Sequence, residues 1–200
     1  MIPEFKAHPW HGISAGENAP DTVNVFVEIV PSDTIKYEID KETGYLKVDR
    51  PQKFSNIIPA LYGFVPKTYC DVRVKELAGA SDVEEGDHDP LDICVLSSHH
   101  VTSGNILLEA RPIGGFKMID KGEADDKIVA VLLGDQVYGH IQDISELPQA
   151  EVFRLKHYFL TYKNLPYEKA SCRIDDIYNA EHAKQVIVAS MEDYSDKYLK

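Results

Sequence analysis

Apolar positions along this chain keep two periods, and the period changes about three-quarters of the way through. From Thr22 to Val30, Val23, Val25, Val27 and Ile29 alternate with Asn24, Phe26 and Glu28, which predicts a strand with one buried face. Ile35, Tyr37 and Ile39 alternate with Lys36 and Glu38 in a second strand, and Glu42-Thr43-Gly44 turns the chain into a third, Tyr45 to Arg50. Strand-like runs follow at Cys70–Val74, Leu91–Leu96, Ile106–Arg111 and Ile128–Leu133, with Glu76 to Gly86 read as a surface loop. After Pro148 the spacing becomes helical: Val152, Leu155, Phe159 and Tyr162 line one stripe. Ala183, Val186, Ile187, Ser190, Met191 and Tyr194 line another, behind Asn179 as N-cap. Strands first and helices later predict an α+β protein, mainly β: a small barrel of antiparallel strands with C-terminal helices packed outside. At 200 residues the chain suits a single domain, with residues 1–20 as an irregular N-terminal arm.

Charge narrows the range of partners. The 33 acidic residues against 21 basic ones leave a net charge of -12, which argues against a general nucleic-acid binder lacking the basic footprint needed to displace counterions. An anionic substrate stays open, provided metal ions invert the local field. No apolar run is long enough to cross a bilayer and no basic-then-apolar leader opens the chain. Cys70, Cys94 and Cys172 are too scattered for a disulfide framework or a CxxC site, and Cys94, inside Ile93-Cys94-Val95-Leu96, reads as a buried thiol. A cytoplasmic protein with no membrane or nucleic-acid partner is the expectation.

The sharpest chemical signal is Gly86-Asp87-His88-Asp89-Pro90-Leu91-Asp92, where three carboxylates crowd in front of an apolar strand. Held that close they repel one another and raise their own pKa values unless a cation joins them. An all-oxygen ligand set of this kind selects a hard divalent ion. A solvated acidic turn is the plain alternative. An EF-hand loop does not fit, because Asp92 stands where that loop needs Gly and Ser98 where it needs Glu. Asp120 and Asp125, in the charged stretch from Lys117 to Lys127, read alone as a hairpin tip. Lys36, Glu38, Arg50, Tyr62, Tyr162 and Lys163 each have a structural explanation in cross-strand pairing, core packing or helix-end charge. No catalytic triad and no P-loop pattern is present.

Taken in order, Val27-Glu28-Ile29, Ile35-Lys36-Tyr37-Glu38, Val48-Asp49-Arg50, Tyr62-Gly63-Phe64, the D-x-D-P-x-D element at 87–92, Phe116-Lys117-Met118, the run from Asp120 through Asp125 to Lys127, and Tyr162-Lys163-Asn164-Leu165 form a series. By this series the chain resembles the soluble family I inorganic pyrophosphatases, from about Val25 to the second helix. The resemblance implies an OB-like five-stranded barrel with flanking helices, and magnesium-dependent hydrolysis of pyrophosphate to two orthophosphates by in-line attack of a metal-bridged water. It implies Asp87, Asp92, Asp120 and Asp125 as metal ligands for several ions, Asp89 as general base, and Glu28 and Glu38 in support. Lys36, Arg50, Tyr62, Lys127, Tyr162 and Lys163 correspond to groups that contact the phosphates or orient those that do, and Lys169 falls where a further lysine does. Manganese is expected to substitute for magnesium and calcium to inhibit. A homo-oligomer is implied, a hexamer first and a dimer or trimer next. Ile58 in place of a tyrosine, Lys121 in place of an acid, and Ser171-Cys172-Arg173 depart from the family pattern without removing a principal ligand. Two rival readings, a hydrolase of another phosphoanhydride and a non-catalytic OB-like binding module, are separated by assays with pyrophosphate and ATP and by retention of single-stranded nucleic acid.

Overall fold

A computed structural model describes residues 6–53, 55–163 and 170–200. In chain order its strands are β1 (Val23–Ile29), β2 (Ile35–Ile39), β3 (Leu46–Pro51), β4 (Leu61–Phe64), β5 (Glu85–Gly86), β6 (Asp92–Leu96), β7 (Ile106–Asp120), β8 (Glu123–Ala124), β9 (Lys127–Leu132) and β10 (Cys172–Asn179). The helices are α1 (Val72–Ala78), α2 (Gln149–Thr161) and α3 (Ala180–Tyr198).

Five strands close a ring in the order β1, β4, β6, β9, β7, with β7 returning to β1. Four of these pairings are antiparallel, and β6–β9 is parallel. The parallel pair is possible because the chain crosses through β7 before β9 takes its place beside β6. β7 is much longer than the Ile106–Arg111 run predicts: its first half pairs with β1 and its second with β10, across a register shift at Pro112 and Gly114. Strand β1 is also buried on both faces, not one. Val23, Val25 and Val27 face the barrel core, while Phe26 packs under an aromatic cluster of Trp10, Phe64, Tyr69 and Tyr194. Strand β4 crosses β1 so tightly that a Cβ on Gly63 would stand 1.8 Å from the Phe26 carbonyl oxygen. Only glycine fits there.

Both long helices form where the period places them. α2 lays Val152, Leu155, Tyr158 and Phe159 against one side of the sheet. α3 lays Ala183, Val186, Ile187, Ser190 and Tyr194 against the other, its N-terminus capped by the Asn179 side chain, which accepts from the His182 N–H at 3.0 Å. The Cys70–Val74 strand is not formed; Val72–Ala78 is α1, and Glu76 to Ala78 therefore belongs to a helix rather than a loop. Alternating Cys70, Val72 and Val74 mimic a strand, but Val72 is exposed, and the buried pair is Val74 and Ala78, one helical turn apart. The segment is helical because Asp193 of α3 receives the N–H groups of Asp71, Arg73 and Val74. β2 and β3 form a separate hairpin, with Lys36 opposite Arg50. No helix among the described residues is long and apolar enough to cross a membrane.

Candidate active site

Three neighbouring ring strands meet at one end of the barrel. Register places Asp92, the first residue of β6, beside Lys127, the first of β9, and opposite Phe64 of β4, two residues from Tyr62. The Tyr62 hydroxyl donates to Asp92 Oδ2 at 2.5 Å. Buried Lys127 donates to that same oxygen and to Asp125 Oδ1. Desolvation lowers the Lys127 pKa, but Asp125 and Asp92 outweigh it and hold the ammonium well above its ordinary value. Burial, with Asp92 beside it, keeps the Tyr62 phenol protonated and so a donor.

The acidic loop is laid between β8 and the residues that lead into α1. Asp87 N–H donates to the Ala124 carbonyl at 3.3 Å, and Cys70 N–H to the Asp89 carbonyl at 2.9 Å. At Gly86 the loop approaches so closely that a Cβ would lie 2.3 Å from the Cys70 carbonyl oxygen. Burial pushes the Asp87 carboxyl well above the usual carboxylate range, and the charges of Asp125, Asp92 and Asp89 push it further. Asp89 is raised by burial too, against the pull of Lys41, whose ammonium pairs with it.

The β2–β3 hairpin brings the cations. Lys36 Nζ lies 2.8 Å from Asp49 Oδ2 and 3.2 Å from Glu38 Oε2, and Arg50 Nη1 donates to that same Asp49 oxygen at 2.5 Å. Glu28, buried on β1, accepts the Ile39 N–H at 2.6 Å, and burial with the nearby Asp92 charge raises its pKa to about 8. Glu28, Lys36, Glu38, Tyr62, Asp89 and Asp92 line one narrow cleft together with Lys41. Lys163 pairs with Asp120, and the Tyr162 ring centroid lies 5.9 Å from the Arg50 guanidinium carbon and 5.2 Å from Lys163 Nζ.

All thirteen residues singled out from the sequence are described, and nine of them fall into three linked groups. Tyr62, Asp92, Asp125 and Lys127 form one set; Lys36 and Glu38 join Arg50 through Asp49; Asp120 pairs with Lys163, which also feels the Asp125 charge. Lys169 lies outside the described residues. Three participants were not anticipated: Asp49, which holds Lys36 and Arg50 side by side; Lys41, from the hairpin turn; and Lys53, which donates to the Lys163 carbonyl at 2.5 Å. For Asp49 the signal was its place beside Arg50 in a hairpin whose register faces Lys36. Lys41 and Lys53 carried none. Ile58 is buried in the core under α2.

As it stands, no three Asp, Glu, His or Cys side chains among the described residues close into a metal cage. Instead the Lys127 ammonium sits between Asp92 and Asp125. The donor chemistry nonetheless suits a hard divalent cation: every candidate ligand is a carboxylate, and each raises the cost of leaving the next one charged. Asp120 Oδ1 is buried without a hydrogen-bond partner among the described residues, an acceptor that a cation would satisfy.

Residues 25–195 match the family model for inorganic pyrophosphatase. The chain is 49% identical to an inorganic pyrophosphatase of Chlamydia trachomatis serovar L2 over 96% of each protein. It is 39% identical to soluble inorganic pyrophosphatase 1 of Arabidopsis thaliana, over 96% of this chain and 82% of that one. Its fold superposes on the crystal structure of the Thermus thermophilus inorganic pyrophosphatase with a TM-score of 0.80 at 29% identity, covering 94% of this chain and 99% of that one.

Proposed function

The chain belongs to the inorganic pyrophosphatase family, metal-dependent enzymes that hydrolyse pyrophosphate to two orthophosphates, and we propose how its own residues divide that work. Asp87, Asp92, Asp120 and Asp125 hold the cations, magnesium by preference with manganese as a substitute. Cations held there would supply a lower pKa to the attacking water and positive charge against the phosphoryl oxygens. The observation that carries the reading is the mutual pressure inside the carboxylate cluster. Asp87 is pushed up by burial and by Asp125 and Asp92, while Lys127 is gripped by two of the same carboxylates. Such a cluster takes up positive charge readily.

Around it each remaining side chain has a task. The water oxygen bonds to one phosphorus as the bridging P–O bond breaks, and Asp89 Oδ receives the proton the water gives up. Lys41 must release Asp89 for that to happen, since a carboxylate committed to an ammonium is a weak base. Arg50 grips phosphate oxygens through its planar fork, and Asp49 holds it and Lys36 on the side facing the cleft. Tyr62, Lys127 and Lys163 supply donors to oxygens that become more negative as the bond breaks. Tyr162 backs Arg50 and Lys163 with its ring face. Glu28 and Glu38 support the set, Glu28 by fixing the Ile39 amide and so the base of the hairpin. The same reading takes residues 1–200 as one domain, and includes a cytoplasmic location and a homo-oligomer, with a hexamer first. Light scattering on the purified protein tests the assembly.

The deciding experiment is phosphate release from pyrophosphate and from ATP side by side, with magnesium, with manganese, and with calcium rising against fixed magnesium. Calcium prefers longer bonds and more ligands, so it should enter the cluster and inhibit. Turnover with calcium alone comparable to that with magnesium would overturn the assigned ligand set.

A further inference from the structure

Between the two leading carboxylates of the acidic loop stands His88, and its backbone lies in the left-handed region at φ 58°. A residue with a Cβ seldom occupies that region, because Cβ crowds the following carbonyl, although His, like Asn and Asp, does so more often than most. A side chain that stays there is normally held by contacts that over-determine it.

His88 has such contacts at every polar atom outside its carbonyl. Its N–H donates to the Cys70 carbonyl at 3.0 Å. Nδ1 and the Tyr69 hydroxyl share a 3.0 Å hydrogen bond, Nε2 lies 3.0 Å from Glu85 Oε2, and the ring stacks on Tyr69 with centroids 5.7 Å apart. Nε2–H donates to the Glu85 carboxylate, and in the neutral ring Nδ1 then accepts the Tyr69 proton. Tyr69 is itself fixed. It is buried in the aromatic cluster with Trp10 and Tyr194, and its N–H donates to the Ser190 carbonyl of α3 at 2.9 Å. A continuous set of contacts therefore runs from α3 through Tyr69 to the one residue whose backbone turn sets how Asp87 and Asp89 face each other. Across that turn the Asp89 N–H donates to Asp87 Oδ1 at 3.1 Å.

We propose that His88 is a positioning residue: pinned by Tyr69 and Glu85, it holds the left-handed turn that spaces the Asp87 and Asp89 carboxylates, and thereby sets the cation affinity of the loop. This rests on the assignment of Asp87 to the cation site made above. The role is distinct from simple stability, since glycine at this position would keep the turn without strain while losing the pin.

The test uses full-length metal-free protein and three readouts: manganese affinity by titration calorimetry, amide exchange over residues 86–92, and thermal midpoint. His88→Gly should leave the midpoint near wild type, weaken manganese binding on the order of tenfold, as loss of a ligand-orienting partner does, and speed exchange in the loop. Tyr69→Phe, which removes only the hydroxyl, should move affinity and exchange in the same direction by less. The double variant should be no worse than His88→Gly, because both changes break one connection. Wild-type affinity and exchange in His88→Gly would overturn the proposal, as would full additivity in the double variant. Should the glycine variant fail to fold, Tyr69→Phe decides alone, and wild-type affinity there overturns it. Asp92→Ala is run in parallel: unchanged manganese binding in that variant would fault the cation-site assignment itself, independently of His88.

Discussion

Asp89 and Asp92 lie three positions apart and answer to different lysines: the first to Lys41 at the cleft mouth, the second to buried Lys127. That separation gives each a distinct test. Asp89→Asn keeps the shape and the cation ligands and removes only the proton acceptor, so turnover should fall on the order of a hundredfold to ten-thousandfold while magnesium affinity holds. Phosphate-release kinetics beside calorimetric titration check this, and a near-normal rate at neutral pH would remove Asp89 from its role. Lys127→Met leaves buried Asp125 and partly buried Asp92 without a counter-charge, a loss of up to about 3–5 kcal/mol for a pair broken from one side. The thermal midpoint should therefore drop steeply in chelator and recover largely in magnesium, which binds only the folded cluster. An equal drop in both conditions would mean Lys127 does more than balance these carboxylates. The three acids of the loop were readable in sequence because they are sequence neighbours. The pairing of Lys127 with Asp92 was not, since it follows from the parallel register of β6 and β9.

At the scale of elements, α1 shows how a distant side chain decides local structure. Its seven residues contain no side-chain cap of their own; Asp71 makes none. The cap comes from Asp193, which accepts from Asp71 N and Arg73 N at 3.1 Å and Val74 N at 3.3 Å, and pairs with Arg73 Nη1 at 2.9 Å. Asp193→Ala should lower the unfolding free energy by about 1–2 kcal/mol, the range for loss of a helix cap. The urea midpoint reports it, and a change within error would show that α1 is held by the burial of Val74 and Ala78 instead. Strands β4 and β10 were missed for related reasons. β4 is buried on both faces and so does not alternate, while β10 carries Arg173, Asp175 and Asp176 on a flank where water balances its charge.

For the molecule as a whole, buried carboxyls make stability depend on pH in an unusual direction. Burial raises Glu28 to about 8 and Asp126 to about 7, the latter against the Tyr178 hydroxyl that donates to it at 3.1 Å. Folded pKa values above the unfolded ones mean that the native state holds protons the unfolded chain has released. Stability then falls as pH rises from about 4.5 towards 8, and their contribution is complete only below that window. The urea midpoint of metal-free protein should decline across about pH 5.5 to 8. Magnesium should flatten or reverse the slope, because cations bind the deprotonated carboxylates and expel their protons. A metal-free midpoint that rises over the same range would contradict the burial of these two groups.

What this sequence determined alone is whatever neighbours along the chain could settle. The 2.0 and 3.6 periods laid out most strands and both long helices, Asn179 marked the start of α3, and three carboxylates of the acidic loop stood together in the chain. Tertiary structure decided what depends on partners far along the chain. It turned Cys70–Val74 into a helix through Asp193, closed the ring through the second pairing of β7, and seated Lys127 between Asp92 and Asp125. It also drew Lys41 over Asp89 and pinned His88 to Tyr69. The physical reason is one of range. Periodicity and capping act within a turn or two of chain, whereas register, burial and the pairing of charges are set only when distant segments share one low-dielectric interior.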